Sequence, residues 1–198
     1  MRIGIVGIDS SHAVAFTRLL NAMNAAGRTR CRVTHFFDSD SACRGSAAAA
    51  AGDSQPSPDH RPTLVGMGTA QSPSLDQLLD QVDGVMILAS NGHRHLELAA
   101  GPLARSLPTF VDKPFACSID HARALLGLAG RPNARVCSAS CLRFAAELVD
   151  IPRSHLGRLV AIDAFGGGEE RASMPGLWFY GCHTIELVDA IWGPGVHQ

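Results

Sequence analysis

The sequence predicts an α/β fold with a doubly wound parallel sheet, followed by an incomplete α+β domain. Short apolar strands alternate with helical segments along residues 1–145, a pattern typical of a parallel sheet with helices on both faces. The first strand ends in a glycine turn that leads directly into a helix. After Phe144 the alternation stops, so we expect residues 1–145 and 146–198 to form two domains.

The first two strands and their helices are predicted from hydrophobic spacing. Residues 3–8 form an apolar run, and apolar residues then recur at helical spacing over residues 13–23. The next strand is predicted over residues 32–37 and is stopped by the polar sequence Asp38-Ser39-Asp40. An alanine-rich helix is expected to follow it as far as Gly52.

Proline, glycine and serine are frequent in residues 53–72. This composition predicts a loop, with at most a short strand at residues 63–65. Ser72 and Pro73 supply an N-cap and a first-turn proline, which predicts that a helix begins there and continues to Val82.

The rest of the first domain repeats the alternation of strand and helix. Ser118 is expected to cap its last helix. The predicted strands cover residues 84–89, 109–111 and 135–139, and the predicted helices cover residues 93–105 and 118–128.

The second domain begins with a predicted strand over residues 159–165. A run of three glycines and an irregular stretch follow, and then an apolar helix is predicted over residues 183–192. One strand and one helix cannot bury an independent core, so we expect this domain to be incomplete.

Composition indicates a soluble globular protein and excludes two classes of partner. Hydrophobic residues make up 46% of the chain, yet no apolar run approaches the roughly 20 residues of a membrane-spanning helix. A net charge of −1 provides no basic stripe for nucleic acid. The six cysteines lack metal-site or redox spacing, which predicts free thiols and no metal centre. The start of the chain lacks a signal-peptide pattern, so we expect a cytoplasmic protein.

Lys113 is the single lysine among 17 basic residues. A chain that uses arginine wherever a generic positive charge suffices keeps a lysine for a chemical reason, chance being the alternative. A lysine amine can give or take a proton, whereas arginine stays charged. Beside a cationic ligand group, this lysine would have its ammonium form disfavoured and would act as an acid or base.

Ligands of a doubly wound sheet bind at the carboxyl ends of its strands, where helix N-termini present free N–H groups. The candidate cofactor-binding residues are therefore those that directly follow the predicted strands. They are Gly7, Ser10, Ser11, His12, Asp38, Ser90, Asn91, His95, Asp112, Lys113 and Arg143.

The first turn departs from the dinucleotide fingerprint G-x-G-x-x-G. Counted from Gly7, the second and third glycine positions hold Asp9 and His12. Gly7 still permits the tight turn, and Ser10 and Ser11 can bond a phosphate. Asp9 would repel a pyrophosphate unless its carboxylate points away or caps the helix. The turn alone leaves open both a dinucleotide site and a plain capped helix start.

Asp38 stands 31 residues after Gly7, at the end of the second predicted strand. The acid that binds the adenosine ribose occupies a similar place in dinucleotide-binding folds. Such a carboxylate repels a 2′-phosphate, so Asp38 predicts NAD(H) in preference to NADP(H). The alternative is a solvated turn aspartate.

Four segments, in this order, resemble motifs of the glucose-fructose oxidoreductase and inositol dehydrogenase family, Gfo/Idh/MocA. DGVMILASNGHRHLELA resembles its strand, turn and helix start, with His95 at the family histidine. VDKPFACSIDHARALL resembles its E-K-P segment, with Asp112 in place of the glutamate and Lys113 as the signature lysine. CLRF resembles the segment that closes the Rossmann-type nucleotide domain. YGCHTIELVDAIWG resembles the segment with the family's second histidine, here His183.

The resemblance implies a nicotinamide cofactor bound on residues 1–145 and a sugar, inositol or related polyol as substrate. Lys113 and His183 would orient the substrate hydroxyl and shuttle its proton while hydride passes to or from the nicotinamide. The family often carries an aspartate four residues before the histidine, but this chain has Phe179 there. Tyr180 is the candidate substitute in the relay.

Two further hypotheses stay open beside the oxidoreductase. A non-catalytic nucleotide-binding or regulatory remnant of the family would also explain the altered glycine turn and the absent aspartate. A homo-oligomer would complete the pocket through the second domain, because an unfinished sheet leaves open edges and an apolar face.

Overall fold

The computed structural model describes residues 1–39, 58–130, 135–150, 157–168 and 176–193. Within these ranges the chain forms one six-stranded sheet in which every pair of neighbours is parallel. The strand order is β3-β2-β1-β4-β5-β6, the order of a doubly wound dinucleotide-binding sheet. The strands are β1 Arg2–Val6, β2 Arg32–Phe37, β3 Ala70–Gln71, β4 Gly84–Ile87, β5 Thr109–Val111 and β6 Val136–Cys137.

Helices connect the strands and cover both faces of the sheet. Two short 3₁₀ turns, Gly92–Arg94 and Cys141–Phe144, follow β4 and β6. The helices are α1 Ser11–Ala25, α2 Arg61–Gly66, α3 Leu75–Gln81, α4 His95–Ala104, α5 Ile119–Ala129, α6 Ala146–Val149 and α7 Trp178–Trp192. In the described residues, no helix is long and apolar enough to span a membrane.

The sheet separates two hydrophobic cores. One core joins Leu78 of α3, Leu98 of α4 and Leu125 of α5 to inward-facing strand residues. The other packs Ala13 of α1 and Leu64 of α2 against the opposite face. The central strands are buried on both faces, which explains why they are continuous apolar runs rather than alternating ones.

The structure corrects the prediction for the first long loop. Residues 63–65 belong to helix α2, not to a strand, because Pro62 fits the first turn of a helix and Leu64 is fully buried under the sheet. The edge strand is instead Ala70–Gln71. The predicted alanine-rich helix up to Gly52 lies outside the described residues.

Helix α3 begins later than predicted, because a different serine caps it. Ser74 is the N-cap, and its hydroxyl accepts a hydrogen bond from the Gln77 amide at 3.2 Å. Ser72 instead donates its amide to the Phe36 carbonyl at 2.8 Å, next to the edge strand. The predicted cap at Ser118 is confirmed, since its hydroxyl accepts from the His121 amide at 3.1 Å.

The last part of the chain differs most from the prediction. Residues 157–168 contain no strand, because no strand among the described residues pairs with them. Val160 and Phe165 are 77% and 93% exposed. Helix α7 starts at Trp178 rather than at residue 183. The division into domains at residue 145 and the expected homo-oligomer stay predictions.

Candidate functional site

Gly7 brings the end of β1 into close contact with the end of β4. Its φ of +82° lies in the left-handed region, and a Cβ there would sit 2.6 Å from the Ala89 nitrogen. Its own amide donates to the Phe37 carbonyl at 3.0 Å. Only glycine tolerates both the positive φ and the close approach of Ala89. The tight turn expected of a dinucleotide site is therefore present.

Asp9, at the second glycine position of the fingerprint, is hydrogen-bonded to Ser90, which follows β4. Both carboxylate oxygens lie 3.1 Å from the Ser90 amide, and one also accepts from the Ser90 hydroxyl. The acid thus joins the ends of β1 and β4 and does not cap α1. This is the first of the two arrangements under which Asp9 is compatible with a pyrophosphate.

The N-terminus of α1 has no side-chain cap. Ser10 occupies the N-cap position, but its hydroxyl donates to the Leu88 carbonyl at 3.0 Å. Ser11 is exposed, and the first turn contains no acidic residue. Free N–H groups and the positive end of the helix dipole suit an anionic phosphate here.

His12 and Asp112 are in hydrogen-bond contact beside this turn. His12 Nδ1 lies 2.5 Å from Asp112 Oδ2. The other carboxylate oxygen of Asp112 accepts from the Lys113 amide at 2.8 Å. Because Asp112 is 3% exposed, it is a buried link between the start of α1 and the lysine loop after β5.

Lys113 lies against the aromatic start of α7. Its Nζ is 4.1 Å from the ring centre of Phe179 and 5.9 Å from that of Tyr180. These are cation–π distances. The ring of Phe179, at the position where the family often has an aspartate, therefore holds the ammonium without offering it a proton acceptor.

His183 lies in the second turn of α7 and is held by Ser140. The Ser140 hydroxyl is 2.6 Å from Nδ1 of the imidazole, and Ser140 is fully buried. Burial lowers the pKa of His183, and the positive charges of Lys113 and His12 lower it further. The neutral ring is therefore favoured. The Tyr180 and His183 rings are 6.1 Å apart.

Arg143 fastens α7 to the nucleotide domain. Its Nε donates to Glu186 at 2.6 Å, and a second guanidinium nitrogen contacts Asp189. Since two carboxylates of α7 already occupy this guanidinium, the structure gives Arg143 a docking role. Its predicted contact with the cofactor stays a prediction.

His95 and Asn91 shape the loops around the site. The buried His95 ring places Nδ1 2.9 Å from the Pro114 carbonyl and Nε2 2.8 Å from the Ala89 carbonyl. It therefore joins the loop after β4 to the lysine loop after β5. Asn91 accepts from the His93 amide at 3.0 Å and starts the 3₁₀ turn. Both side chains position backbone, and their predicted cofactor contacts stay predictions.

Asp38 follows β2 at the carboxyl edge of the sheet. The residue is 4% exposed, and 4.0 Å separates its carboxylate from Arg61 Nε. The Arg61 guanidinium also makes two hydrogen bonds to Asp59, at 2.8 and 2.7 Å. Arg94, from the turn after β4, donates to the Ser39 carbonyl at 3.2 Å.

The predicted residues divide between two places along this edge. The group at the β1, β4 and β5 ends consists of His12, Asp112, Lys113, Tyr180 and His183. Asp38 stands apart at the end of β2. Among the described residues no group of three or more His, Cys, Asp or Glu side chains is arranged to hold a metal.

Sequence reasoning missed Ser140 and the role of Phe179. Ser140 follows β6, so the strand-end rule that selected the other candidates applied to it as well. Its partner, 43 residues further along the chain, gave no local signal.

The comparisons agree with this architecture. The family described as "Oxidoreductase family, NAD-binding Rossmann fold" (GFO_IDH_MocA) matches residues 1–140. Among curated proteins, none matches this chain in sequence.

Three solved structures illustrate the similarity. GenD2 from gentamicin A biosynthesis, in complex with NAD, has a TM-score of 0.71 at 19% identity and covers 98% of this chain. UDP-N-acetylglucosamine 3-dehydrogenase GnnA from Acidithiobacillus ferrooxidans has a TM-score of 0.56 at 19% identity and covers 78%. An NAD-binding protein from Listeria innocua has a TM-score of 0.57 at 19% identity and covers 75%.

The shared region is only part of each of those proteins. It spans 54% of GenD2, 41% of GnnA and 37% of the Listeria protein. At these identities the likeness concerns the fold. With the family match over residues 1–140, the parallel sheet and the glycine turn, the chain belongs to the Gfo/Idh/MocA oxidoreductase family, with its NAD-binding Rossmann fold.

Proposed function

We propose that the protein is an NAD(H)-dependent oxidoreductase that acts on a hydroxyl or ketone of a sugar, inositol or related polyol. The observation that carries the proposal is the meeting of Lys113 with helix α7. Its ammonium lies 4.1 Å from the Phe179 ring centre, one turn before His183. An amine and an imidazole, the two proton-transferring groups of the family pattern, therefore lie near each other at the start of α7.

The nicotinamide cofactor supplies the hydride chemistry. The turn at Gly7 and the uncapped N-terminus of α1 would hold its pyrophosphate, and Asp38 would bind the adenosine ribose. A 2′-phosphate would meet the buried Asp38 carboxylate, while the nearby Arg61 is already engaged by Asp59. NAD(H) is the better fit.

His183 is the proton carrier in this proposal. Its lowered pKa keeps the ring neutral and able to accept the hydroxyl proton during oxidation. The same nitrogen returns that proton when a ketone is reduced. Ser140 holds the ring in either tautomer, because a hydroxyl can donate as well as accept.

Lys113 would stabilise the negative charge that develops on the substrate oxygen. A fixed cation aimed at developing charge lowers the barrier, and more so where water is excluded. Tyr180, beside both groups, would add a hydroxyl to the relay. It takes the place of the carboxylate that Phe179 cannot provide.

The first experiment is a fluorescence titration with NADH and, separately, NADPH, followed by a polyol screen. We expect saturable binding that is tighter for NADH, and Asp38→Ser should narrow the difference. Lys113→Ala should abolish turnover and leave NADH binding intact. Lys113→Arg is the matched control: it keeps the positive charge that the proposal assigns to Lys113, so it should retain part of the turnover. Failure of folded wild-type protein to bind either nucleotide would overturn the proposal.

A second candidate function is nucleotide binding without turnover. Phe179 favours it, because a phenyl ring beside Lys113 cannot relay a proton. Under this reading NADH binds, but no polyol is turned over. Phe179→Asp, which restores the family pattern, separates the two functions: turnover gained only in this variant would assign the wild type to binding alone.

A further inference from the structure

We propose that Asp59 determines the cofactor preference of this protein, because it occupies the Arg61 guanidinium and so closes a latent site for a 2′-phosphate. This inference rests on the proposed function and deepens it, since it names a residue besides Asp38 that decides between NAD(H) and NADP(H). Dinucleotide-binding folds that accept NADP(H) use an arginine near the ribose acid to bind the 2′-phosphate. This chain has an arginine in that place, but its guanidinium is bound to the Asp59 carboxylate.

Arg61 lies on the solvent side of the buried ribose acid. It is the first residue of α2, and Leu64 of the same helix is fully buried under the sheet. Arg61 Nε is 4.0 Å from the Asp38 carboxylate, and the two side chains are 42% and 2% exposed. A phosphate on the 2′ oxygen of a ribose bound by Asp38 would therefore come within reach of this guanidinium.

Asp59 holds both the backbone and the side chain of Arg61. The Arg61 amide donates to Asp59 Oδ1 at 3.0 Å, and Nε donates to the same oxygen at 2.8 Å. A terminal guanidinium nitrogen donates to Oδ2 at 2.7 Å. The edge of the guanidinium that carries Nε is thus both the edge nearest Asp38 and the edge that Asp59 occupies. Arginine binds carboxylate and phosphate in this same two-pronged geometry, so Asp59 and a 2′-phosphate compete for it.

The charges at the end of β2 act in the same direction. Asp38 and Asp59 bring two negative charges beside the positive charge of Arg61, and a 2′-phosphate would add more. Arg94, from the turn after β4, donates to the Ser39 carbonyl at 3.2 Å, so this second cation is also engaged. The ribose hydroxyls of NAD(H) carry no charge. Asp59 therefore opposes NADP(H), both by holding the guanidinium and by its own charge, without opposing NAD(H).

Asp59→Asn tests the inference with little disturbance of the fold. The Asn oxygen can still accept from the Arg61 amide, while the charge that holds the guanidinium is lost. Both side chains of the pair are 42% exposed, and exposed ion pairs contribute little to stability. We expect the Kd for NADPH to fall about three- to tenfold and the Kd for NADH to change by less than about twofold.

Fluorescence titrations of wild type and variants with NADPH and NADH measure both constants. The matched control is Asp83→Asn, which removes the same charge from another exposed pair, 2.7 Å from Arg2 at the amino edge of the sheet. It should change neither Kd. Asp59→Asn should also give no gain for NADPH in a chain that already carries Arg61→Gln, because the released guanidinium is then missing.

Two smaller ligands locate the effect at the ribose. Adenosine 2′,5′-bisphosphate should show the same gain in Asp59→Asn as NADPH, and 5′-AMP, which lacks the 2′-phosphate, should show none. A gain that persists without Arg61, or one that the bisphosphate does not share, would overturn the inference. Unchanged NADPH affinity in Asp59→Asn would overturn it as well, and NADH binding by the wild type would then leave the proposed function intact. Absence of NADH binding in the folded wild type would overturn both.

Discussion

Gly7 allows a residue-scale test of the turn, because its backbone angle and its neighbours can be separated. Gly7→Ala combines a positive φ with a Cβ 2.6 Å from the Ala89 nitrogen. Gly27→Ala has a φ of +69° and nothing within 4 Å of the added atom. We expect Gly7→Ala to lower the free energy of unfolding by about 2–5 kcal/mol and Gly27→Ala by about 1 kcal/mol. Urea denaturation measures both, and equal losses would contradict the close approach of the turn to β4.

Lys113 can be observed selectively, since the chain has no other lysine. Reductive methylation with ¹³C-formaldehyde labels Lys113 and the terminal amine. The Phe179 ring lies 4.1 Å from Nζ, so we expect its ring current to shift the lysine methyl signals upfield in NMR spectra. Phe179→Leu should remove this shift, while Phe16→Leu, in α1, should retain it. Unshifted signals in the wild type would show that the stacked arrangement is not populated in solution.

Individual site residues were predictable where a strand end selects them. Asp38, Asp112 and Lys113 directly follow strands, and the structure places all three at the carboxyl edge of the sheet. The partner of each residue was not predictable. Ser140 reaches His183 across 43 residues of sequence, and no local pattern encodes a contact of that length.

At the scale of elements, the Arg143 guanidinium holds helix α7 through its contacts with Glu186 and Asp189. Arg143→Gln removes charge-assisted bonds to Glu186 and Asp189, and we expect a loss of about 1–3 kcal/mol in the free energy of unfolding. Limited proteolysis within α7 should accelerate in parallel. Arg123→Gln is the control, because its partner Asp120 is 3.8 Å away and both side chains are largely exposed. A similar loss in both variants would mean that Arg143 does not dock α7.

Strands and helices were predictable where the hydrophobic period of the sequence agrees with the burial of the element. The two central strands β1 and β4 are largely apolar and buried because helices cover both faces of the sheet. Residues 63–65 misled the prediction, since three residues contain too little of either period to distinguish a strand from one helical turn. Residues 159–165 alternate as a strand does, but alternation does not supply the neighbouring strand that pairing requires.

At the scale of the whole molecule, His183 makes stability depend on pH. Its folded-state pKa is lowered, mainly by burial, so the unfolded chain binds more protons around the ordinary histidine value. This contribution to stability is therefore complete above about pH 7 and declines as the pH falls below the ordinary histidine value. His35, whose pKa burial also lowers, adds in the same direction.

The decline can be measured as the slope of unfolding free energy against pH. We expect a shallower slope in His183→Gln than in the wild type, and an unchanged slope in His93→Gln. Thermal melts between pH 5 and pH 8 provide the comparison. An identical slope in wild type and His183→Gln would show that the α7 histidine is not buried neutral in the folded protein.

The Asp9–Ser90 bridge also limits how this turn can evolve. A return to the glycine-rich fingerprint by Asp9→Gly would leave the half-buried Ser90 amide without its carboxylate acceptor, at a cost of about 1–3 kcal/mol. A compensating change in the loop after β4 would have to arise together with it or before it, because neighbouring sites that share a bond are not additive. Position 9 and the loop after β4 therefore form an epistatic pair. A substitution at position 9 alone lowers the stability of the protein before any gain in phosphate binding can be selected.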